Sequence, residues 1–294
     1  MESIPCKTII TKNAHPNYWF GADYTMNIYK GCCHGCIYCD SRSSCYGIEE
    51  FDKVKIKEDT LKIIEGELKS KRNKGVICTG GMSDPYNPFE KKLNLTRQSL
   101  KLLNKYNFGV AIATKSNLIT RDIDILKNIN YISPVCVKMT ITTFDDNMCK
   151  RIEPNVSLTS QRFKALEELA NNGIYCGILM MPILPFINDN EENIKSIIKR
   201  AGNCGAKFIY PYFGVTLRDN QREYFYKKLD NNFPHIKNKY ETNFRLKYNC
   251  QSLNRKILYD IFREHCDKSN IIYNMNKIID DYKYDRTAQL SFFD

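Results

Sequence analysis

Long apolar runs and a secretory leader are both missing from this sequence. The most apolar stretch, YCGILMMPILPFI, is short and broken by two prolines, whereas a membrane-spanning helix needs about 20 consecutive apolar residues. The first 20 residues contain no basic segment followed by an apolar one, which a secretory signal requires. We therefore expect a soluble, cytoplasmic protein without a membrane partner. In that compartment the 13 cysteines are expected to be thiols or metal ligands, because disulfides are rare there.

Internal repeats are absent too, and no stretch rich in Gly, Ser or Pro marks a linker between domains. A hydrophobic fraction of 43% and an aromatic fraction of 12% are typical of a folded globular protein. The 294 residues are enough for one large domain. We expect the following division of the chain: an N-terminal extension at 1–23, the main domain at 24–215, a C-terminal helical extension at 216–284 and a flexible tail at 285–294.

Six apolar, β-branched or aromatic runs recur along the main domain, and helical patterns separate most of them. The runs are at 24–30, 75–80, 108–114, 135–143, 174–182 and 207–213. The helical patterns are at 60–70, 96–106, 160–170 and 191–201. This alternation predicts right-handed βαβ crossovers and a parallel sheet. Because six units are fewer than the eight of a closed barrel, we predict an α/β fold with a partial, open (β/α)6 barrel.

Beyond residue 214 the alternation of strands and helices stops. Segments 219–230, 252–266 and 273–282 have helical patterns and are predicted to pack on the barrel rather than to form a separate domain.

Four of the cysteines lie within eight positions, in the segment KGCCHGCIYCD. Cys33, Cys36 and Cys39 have the C-x2-C-x2-C spacing that begins a bacterial ferredoxin motif. That motif requires a fourth cysteine at the position of Ser43, so this interpretation fails. Cys32, Cys36 and Cys39 instead have the spacing C-x3-C-x2-C, which provides three thiolates and leaves one ligand position open.

Three thiolates bind three irons of a [4Fe–4S] cluster and leave the fourth iron open. An open iron can chelate the amino and carboxylate groups of S-adenosylmethionine, and one-electron transfer then releases a 5′-deoxyadenosyl radical. These are the two expected cofactors. Tyr38 lies where it can pack near the adenine, or alternatively cap the mouth of the barrel. A zinc site that uses His34 is the alternative to the cluster, but the chain has no second C-x2-C elsewhere.

The spacing C-x3-C-x-Y-C after a first barrel strand resembles the signature of the radical S-adenosylmethionine superfamily. Four further segments resemble its spore photoproduct lyase-like branch, the radical DNA repair photolyase group: GGMSDPYNPFEKKLNLTRQSLKLL, ATKSNLITRDIDIL, ITTFDDNMCKRIEPNVSLTSQRFKALEELANNGI and MMPILPFIND. The resemblance covers roughly residues 20–230. It implies a barrel of the radical S-adenosylmethionine type, with Cys32, Cys36 and Cys39 as the cluster ligands.

The resemblance also implies contacts to S-adenosylmethionine at the C-terminal ends of the strands, where a barrel builds its active site. The implied contacts are Tyr38, Gly80, Gly81, Ser83, Asp84, Lys115, Ser116 and Thr140. Glycines let backbone carbonyls approach the amino group closely, Lys115 would pair with the carboxylate, and Thr140 or Thr142 would reach a ribose hydroxyl. Each has a plain structural alternative: a turn glycine pair, a solvated lysine, a strand threonine.

One departure from the family affects the expected activity. In spore photoproduct lyases a cysteine near the position of Gly81 serves as the hydrogen donor to the repaired thymine, whereas this chain has Gly-Gly-Met there. Cys78 lies three positions earlier and is expected to face the core. The donor is therefore missing or moved, which affects the repair of spore photoproduct but not the generation of the radical.

Several residues outside these motifs could contact a substrate. Arg151 and Glu153 follow the fourth strand and form either a substrate or cofactor contact or a loop ion pair. A second group could line an aromatic, cationic mouth that stacks on an extruded base, or could be ordinary barrel packing: His15, Trp19, Tyr210, Tyr212 and Arg218.

The expected partners follow from charge, from the C-terminus and from the chemistry. A net charge of +11 favours a polyanion, although a lysine-rich composition alone can produce it. The segment Gln289–Phe293 resembles the motif that docks repair proteins on the sliding clamp, or it folds back onto the barrel. DNA is thus the expected substrate, with RNA, a peptide or a small metabolite as alternatives, and a one-electron reductant of the flavodoxin or ferredoxin type is required. A non-catalytic iron–sulfur protein that binds DNA or the clamp is the competing class.

Overall fold

Six parallel strands form the centre of the protein. A computed structural model describes residues 2–16 and 18–283, and this part of the chain contains eleven strands and eleven α-helices. The clamp-docking motif expected at residues 289–293 lies outside the described residues. The strands in chain order are β1 (Ser3–Ile4), β2 (Ile10–Lys12), β3 (Tyr24–Met26), β4 (Tyr29–Lys30), β5 (Lys55–Lys57), β6 (Val76–Thr79), β7 (Gly109–Thr114), β8 (Val135–Thr140), β9 (Cys176–Ile183), β10 (Phe208–Thr216) and β11 (Asn249–Gln251).

The main sheet has the order β11-β10-β9-β8-β7-β6-β3-β2 within the described residues. All neighbours from β3 to β10 pair in parallel, while β2 and β11 pair antiparallel at the two edges. Among the strands that the structure describes, the edge strands β2 and β11 lie at opposite ends of this order and do not pair with each other, so the barrel stays open. The predicted partial (β/α)6 barrel is confirmed.

Helices cross over between the strands and continue in a helical C-terminal region. They are α1 (Thr60–Ser70), α2 (Glu90–Leu93), α3 (Leu95–Lys105), α4 (Ile123–Ile132), α5 (Asp146–Ile152), α6 (Thr159–Asn171), α7 (Glu191–Asn203), α8 (Gln221–Asn232), α9 (Ile236–Phe244), α10 (Arg255–Lys268) and α11 (Met275–Lys283). In α7 the Asn190 side chain accepts a hydrogen bond from Asn193 N at 2.9 Å and caps the first turn. The buried face of α7, with Ile194, Ile197 and Ile198, then packs on the sheet.

The first predicted strand, residues 24–30, divides between two sheets. Its first half is β3 of the main sheet, whereas β4 pairs antiparallel with β5 in a separate three-stranded sheet with the order β1-β5-β4. The chain therefore leaves the barrel before the cysteines begin. The segment that follows, residues 31–39, is called the cysteine loop below, and it starts from this smaller sheet.

The interior of the barrel is filled from both ends of the chain. Phe20, in a short 3-10 turn near the N-terminus, and Tyr282 of α11 pack in one cluster with Cys78 and Cys136 of β6 and β8. Cys78 thus faces the barrel interior, where its sulfur accepts a hydrogen bond from Lys138 Nζ at 3.3 Å. No helix in the described part of the chain is both long and apolar enough to cross a membrane.

Candidate functional site

A pocket lies at the C-terminal ends of β6, β7 and β8, beneath the cysteine loop. It brings together residues from the loop and from three strand ends: Cys32, His34, Cys36, Tyr38, Cys39, Ser41, Gly80, Gly81, Met82, Ser83, Asp84, Ala113, Thr114, Lys115 and Thr140. Nearly all residues that the sequence predicted for the cofactor site therefore line one pocket, although they are spread over more than a hundred positions of the chain.

The three cysteines predicted as cluster ligands all line this pocket. Cys32 and Cys36 are buried and Cys39 is half-buried, whereas Cys33 is not among the lining residues. No three His, Cys, Asp or Glu side chains within residues 2–16 and 18–283 converge as a single metal ion would require. A [4Fe–4S] cluster makes a different demand, because each thiolate binds its own iron and the sulfurs must stand apart.

A tight turn at Gly31 starts the cysteine loop. Gly31 has φ +81°, and a Cβ there would lie 2.7 Å from the carbonyl oxygens of Phe51 and Lys53, so only glycine fits. Cys32 N donates to the Phe51 carbonyl at 2.8 Å immediately afterwards. The loop is therefore held against the segment before β5 from its first residue.

The glycine pair after β6 has one crowded and one open member. A Cβ on Gly80, at φ +91°, would lie 1.9 Å from the Ala113 carbonyl oxygen, so no other residue is accommodated. A Cβ on Gly81 would meet nothing within 4 Å, because Gly81 faces the pocket. Ser83 also lines the pocket, but its hydroxyl donates to the Tyr29 carbonyl at 2.9 Å and thereby ties this turn to β4.

Asp84 organises the end of β7. Its carboxylate accepts hydrogen bonds from the Thr114 hydroxyl at 2.7 Å, from Lys115 N at 2.7 Å and from Tyr86 N at 2.9 Å. His34 Nδ1 lies 3.6 Å from the same carboxylate. Asp84 therefore fixes the backbone at Lys115 and leaves the lysine side chain free to reach into the pocket.

Lys115 is the cation of the pocket. Its Nζ lies 5.7 Å from the centre of the Tyr38 ring and makes no ion pair with the residues that the structure describes. Burial alone would lower the pKa of Lys115, but the nearby Cys36 and Glu153 raise it above its ordinary value. Ser116 does not join the pocket as the resemblance implied, because its hydroxyl accepts from Leu118 N at 3.3 Å and caps the following turn.

The sequence offered His34 only as a ligand of the alternative zinc site, yet it is buried and lines the pocket. Burial would raise the pKa of the neighbouring Cys32 thiol, but hydrogen bonding and charge from His34 lower it, which favours the thiolate. Burial would also lower the pKa of His34, but Cys32 and Asp84 raise it. Its position two residues after a predicted ligand was the only signal in the sequence.

The structure distinguishes the two threonines at the end of the fourth parallel strand, β8: Thr140 is its last residue and Thr142 follows it. Thr140 lines the pocket. Thr142 is buried outside it, and its hydroxyl has no hydrogen-bond partner among the described residues. Of the two alternatives for the ribose contact, only Thr140 is in reach of a ligand in the pocket.

A buried triad holds the end of the cysteine loop. The Tyr38 hydroxyl donates to Glu153 Oε1, and Arg162 Nη2 donates to Glu153 Oε2 at 2.5 Å. Arg162 Nη1 also donates to the Thr140 carbonyl at 2.8 Å. Tyr38, Glu153 and Arg162 are called the pocket anchor below. Of the two alternatives for Glu153, the ion pair is the one observed, and its partner is on α6.

A second triad of the same residue types holds the start of the loop. The Tyr29 hydroxyl donates to Glu90 Oε2 at 2.5 Å, and Arg121 Nη2 donates to Glu90 Oε1 at 2.9 Å. Tyr29, Glu90 and Arg121 are called the strand anchor below. None of the three lines the pocket. Tyr29 is in β4, directly before the cysteine loop.

Residues proposed for the substrate mouth form two groups. Trp19 contacts Tyr210 edge to face with ring centres 5.6 Å apart. Arg218 Nη2 donates to the Tyr248 hydroxyl at 3.0 Å, and Arg218 Nε lies 3.3 Å from Asp40, the residue after Cys39.

Three more of the expected substrate contacts lie elsewhere. The Tyr212 hydroxyl donates to Asn249 Oδ1 at 2.6 Å, and His15 is exposed. Arg151 donates to a backbone carbonyl at the end of α8 and stacks 4.1 Å from the centre of the Phe233 ring. It therefore ties the C-terminal helices to the barrel and does not reach the pocket.

Comparison with known proteins agrees with this architecture. The family model of the Radical SAM superfamily matches residues 26–198. An uncharacterized protein of Methanocaldococcus jannaschii is 37% identical over 183 residues, which are 61% of this chain and 68% of that protein. An uncharacterized protein of Mycobacterium tuberculosis is 24% identical over 229 residues, or 76% of this chain and 67% of that protein.

Solved structures with the same fold include spore photoproduct lyase. The lyase in complex with a dinucleoside spore photoproduct has a TM-score of 0.61 at 14% identity, covering 84% of this chain and 74% of that chain. A variant with bound S-adenosylmethionine and the same photoproduct has a TM-score of 0.63 at 14% identity, covering 86% and 77%. At this identity the likeness shows a shared fold. Because the family match spans 26–198 of the 294 residues, this chain belongs to the radical S-adenosylmethionine superfamily, whose enzymes use a [4Fe–4S] cluster together with S-adenosylmethionine.

Proposed function

We propose that the protein abstracts a hydrogen atom from a DNA lesion, with the cluster bound by Cys32, Cys36 and Cys39. The observation that carries this proposal is the convergence of these three thiols on one pocket that also holds an open glycine edge and a lysine. When bound, the two cofactors supply the 5′-deoxyadenosyl radical. The chain itself supplies the ligands, the orientation and the exclusion of water.

The residues present fit S-adenosylmethionine. The open side of Gly81 leaves backbone polar groups accessible to an amino group. Lys115 Nζ is a cation without an ion-pair partner among the described residues, which suits a carboxylate. Thr140 lines the pocket, so its hydroxyl can bind a ribose hydroxyl, and the Tyr38 ring forms a wall on which the adenine can pack.

Three observations support DNA as the substrate. Aromatic and cationic side chains are available for such a substrate: Trp19 pairs with Tyr210, and Arg218, which bonds to Tyr248, lies beside Asp40 directly after the cysteine loop. Such side chains suit an unstacked base and its phosphates. The net charge of +11 acts in the same direction, and the fold resembles that of a lyase solved with a dinucleoside photoproduct.

The identity of the lesion is a separate matter. Among the described residues, the cysteines that line the pocket are the three proposed ligands, and Met82 follows the glycine pair. A free thiol beside the glycine pair is therefore not available as a hydrogen donor. We propose a lesion chemistry whose final hydrogen comes from another group.

The proposal is tested by anaerobic reconstitution with iron and sulfide, followed by dithionite and S-adenosylmethionine. The expected product is 5′-deoxyadenosine, with deuterium transferred from lesion-bearing oligonucleotides that are deuterated in their thymines. Undamaged oligonucleotides of the same sequence are the control. An intact cluster that yields no 5′-deoxyadenosine favours the non-catalytic class. Product without deuterium from any DNA points to RNA, a peptide or a small metabolite.

Two protein partners follow from the proposed function. A reductant of the flavodoxin or ferredoxin type delivers the electron in place of dithionite. The sequence Gln289–Phe293 docks on the sliding clamp of the polymerase, and a clamp pulldown with the full chain and with a chain shortened before residue 289 tests this. Equal retention of the two proteins would contradict clamp docking through this motif.

A further inference from the structure

The two ends of the cysteine loop are fixed by triads of the same residue types, but only the pocket anchor contributes a residue to the lining of the pocket. Tyr38 is a lining residue, whereas Tyr29 is not. Both tyrosines donate to a carboxylate, a charge-assisted bond that is stronger than one between neutral groups. The two triads therefore differ in their position relative to the pocket more than in their chemistry.

The segment around Glu153 holds the cysteine loop at several points. Ile37 N donates to the Ile152 carbonyl at 3.0 Å, and Asn155 N donates to the His34 carbonyl at 3.1 Å. The Asn155 side chain donates to the Cys33 carbonyl at 3.0 Å. The turn after α5 thus follows the middle and the end of the loop, and Glu153 adds a bond to the Tyr38 hydroxyl.

The pocket anchor also connects opposite walls of the pocket. Glu153 is 1% and Arg162 0% exposed, so the pair is shielded from water and holds its geometry. Through Arg162 it reaches the Thr140 carbonyl on β8, and through Tyr38 it reaches the residue directly before Cys39. A change at Glu153 therefore alters the distance between a predicted cluster ligand and a predicted ribose contact.

We propose that Glu153 is a positioning residue for S-adenosylmethionine binding, which acts by fixing Tyr38 and the adjoining Cys39 against the pocket wall formed by Thr140. This inference rests on the proposed function, because it takes the pocket to be the S-adenosylmethionine site. Glu153 itself does not line the pocket and contacts neither cofactor in this proposal.

The test uses reconstituted holoprotein and measures the dissociation constant of S-adenosylmethionine by equilibrium dialysis, together with iron per chain. Glu153→Gln should weaken the affinity by on the order of tenfold, because a charge-assisted bond is lost, with the iron content retained. The matched control is Glu90→Gln in the strand anchor. It removes a similar charge but should leave the affinity within about twofold of the wild type, since no residue of that triad lines the pocket.

A double-mutant cycle shows whether Glu153 acts through Tyr38. Tyr38→Phe keeps the ring and removes the hydroxyl, so Tyr38→Phe and Glu153→Gln together should weaken binding no more than the stronger single change. Should Glu153→Gln fail to fold, Tyr38→Phe compared with Tyr29→Phe gives the same contrast.

The outcomes separate this inference from the proposed function. Wild-type holoprotein that does not bind S-adenosylmethionine overturns both. Wild-type protein that binds it while Glu153→Gln binds equally well overturns the positioning role alone. Equal losses in Glu153→Gln and Glu90→Gln would show a general effect of stability and would also overturn it.

Discussion

The pocket anchor and the strand anchor differ in how their arginines are surrounded. In the pocket anchor Arg162 is fully buried, and all three nitrogens of its guanidinium donate hydrogen bonds, to Glu153, Thr140, Ser157 and Cys149. A buried charge of this kind depends on its partner, because water is excluded from it.

In the strand anchor the corresponding arginine is partly exposed and belongs to a larger group of ion pairs. The Arg121 side chain is 22% exposed and pairs with Asp122 as well as Glu90. Asp122 is held in addition by Arg97 at 2.8 Å. Two triads with the same residue types can therefore contribute very differently to stability. Additional ion-pair partners and access to water reduce the contribution of each bond to the free energy of unfolding.

The largest expected effect is the loss of the cluster when cysteines of the cysteine loop are replaced. If both anchors hold one cluster-binding loop, Cys32→Ala at its start and Cys39→Ala at its end should each lose the cluster, as should Cys36→Ala. Cys33→Ala is the matched control and should keep it, because Cys33 does not line the pocket. Iron per chain and the visible absorption of the cluster after reconstitution measure the outcome. A cluster that survives Cys32→Ala but is lost in Cys33→Ala would assign the other spacing.

Arg162→Met should cause the next largest effect, on the free energy of unfolding. It leaves the Glu153 carboxylate buried without its cation, which costs about 3–5 kcal/mol. Arg121→Met in the strand anchor should cost clearly less, because Arg97 still holds Asp122 and the buried Glu90 keeps hydrogen bonds from the Tyr29 hydroxyl and Thr96 N. Urea unfolding of the two apo proteins at pH 7 measures the difference. A loss in Arg121→Met as large as that in Arg162→Met would show that the anchors are equivalent.

The strands and the cysteine loop could be predicted from sequence because their signals are local. Apolar runs marked all six parallel strands, and the missing cysteine at Ser43 selected one spacing. The helix α4 was missed. No helix was expected between the third and fourth apolar runs, although Ile123, Leu126 and Ile129 are buried there at helical spacing. The division of the run at 24–30 between two sheets was also missed, since pairing of β4 with β5 is a tertiary choice.

The anchors could not be predicted, because their members are far apart in the sequence. Tyr29 and Glu90 are 61 positions apart, and Tyr38 and Glu153 are 115 apart. A glutamate in a polar loop has no local pattern that marks it as buried, so the sequence left an ion pair and a ligand contact as equal alternatives for Glu153. Only the packing of α6 against the turn after α5 brings Arg162 to it.

A smaller effect is expected on the affinity for S-adenosylmethionine when threonines at the end of β8 are replaced. Thr140 lines the pocket, whereas Thr142, two positions later, is buried outside it. Thr140→Val removes a hydroxyl from the pocket and should weaken S-adenosylmethionine binding by roughly three- to tenfold, as the loss of one neutral hydrogen bond does. Thr142→Val is the matched control and should leave binding unchanged. It should also not destabilise the protein, because the hydroxyl that it removes is buried and without a partner among the described residues. Weaker binding in Thr142→Val alone would reverse the assignment.

The smallest expected effect is the dependence of the pocket anchor on pH. Burial would raise the pKa of Glu153, but Arg162 and Lys115 lower it below its ordinary value. A carboxyl with a lowered pKa stabilises the fold fully above the unfolded value, about 4.3, and loses this contribution as the pH falls through the folded value. The stability gap between wild type and Glu153→Gln, measured in urea, should therefore stay constant from pH 7 to 5 and shrink only below about 4. In an Arg162→Met background burial dominates instead and raises the pKa of Glu153. The difference in the free energy of unfolding between the proteins with Glu and with Gln at position 153 should then shrink as the pH rises. A gap that instead widens as the pH falls from 7 to 5 in the wild-type background would mean that burial outweighs Arg162 and Lys115.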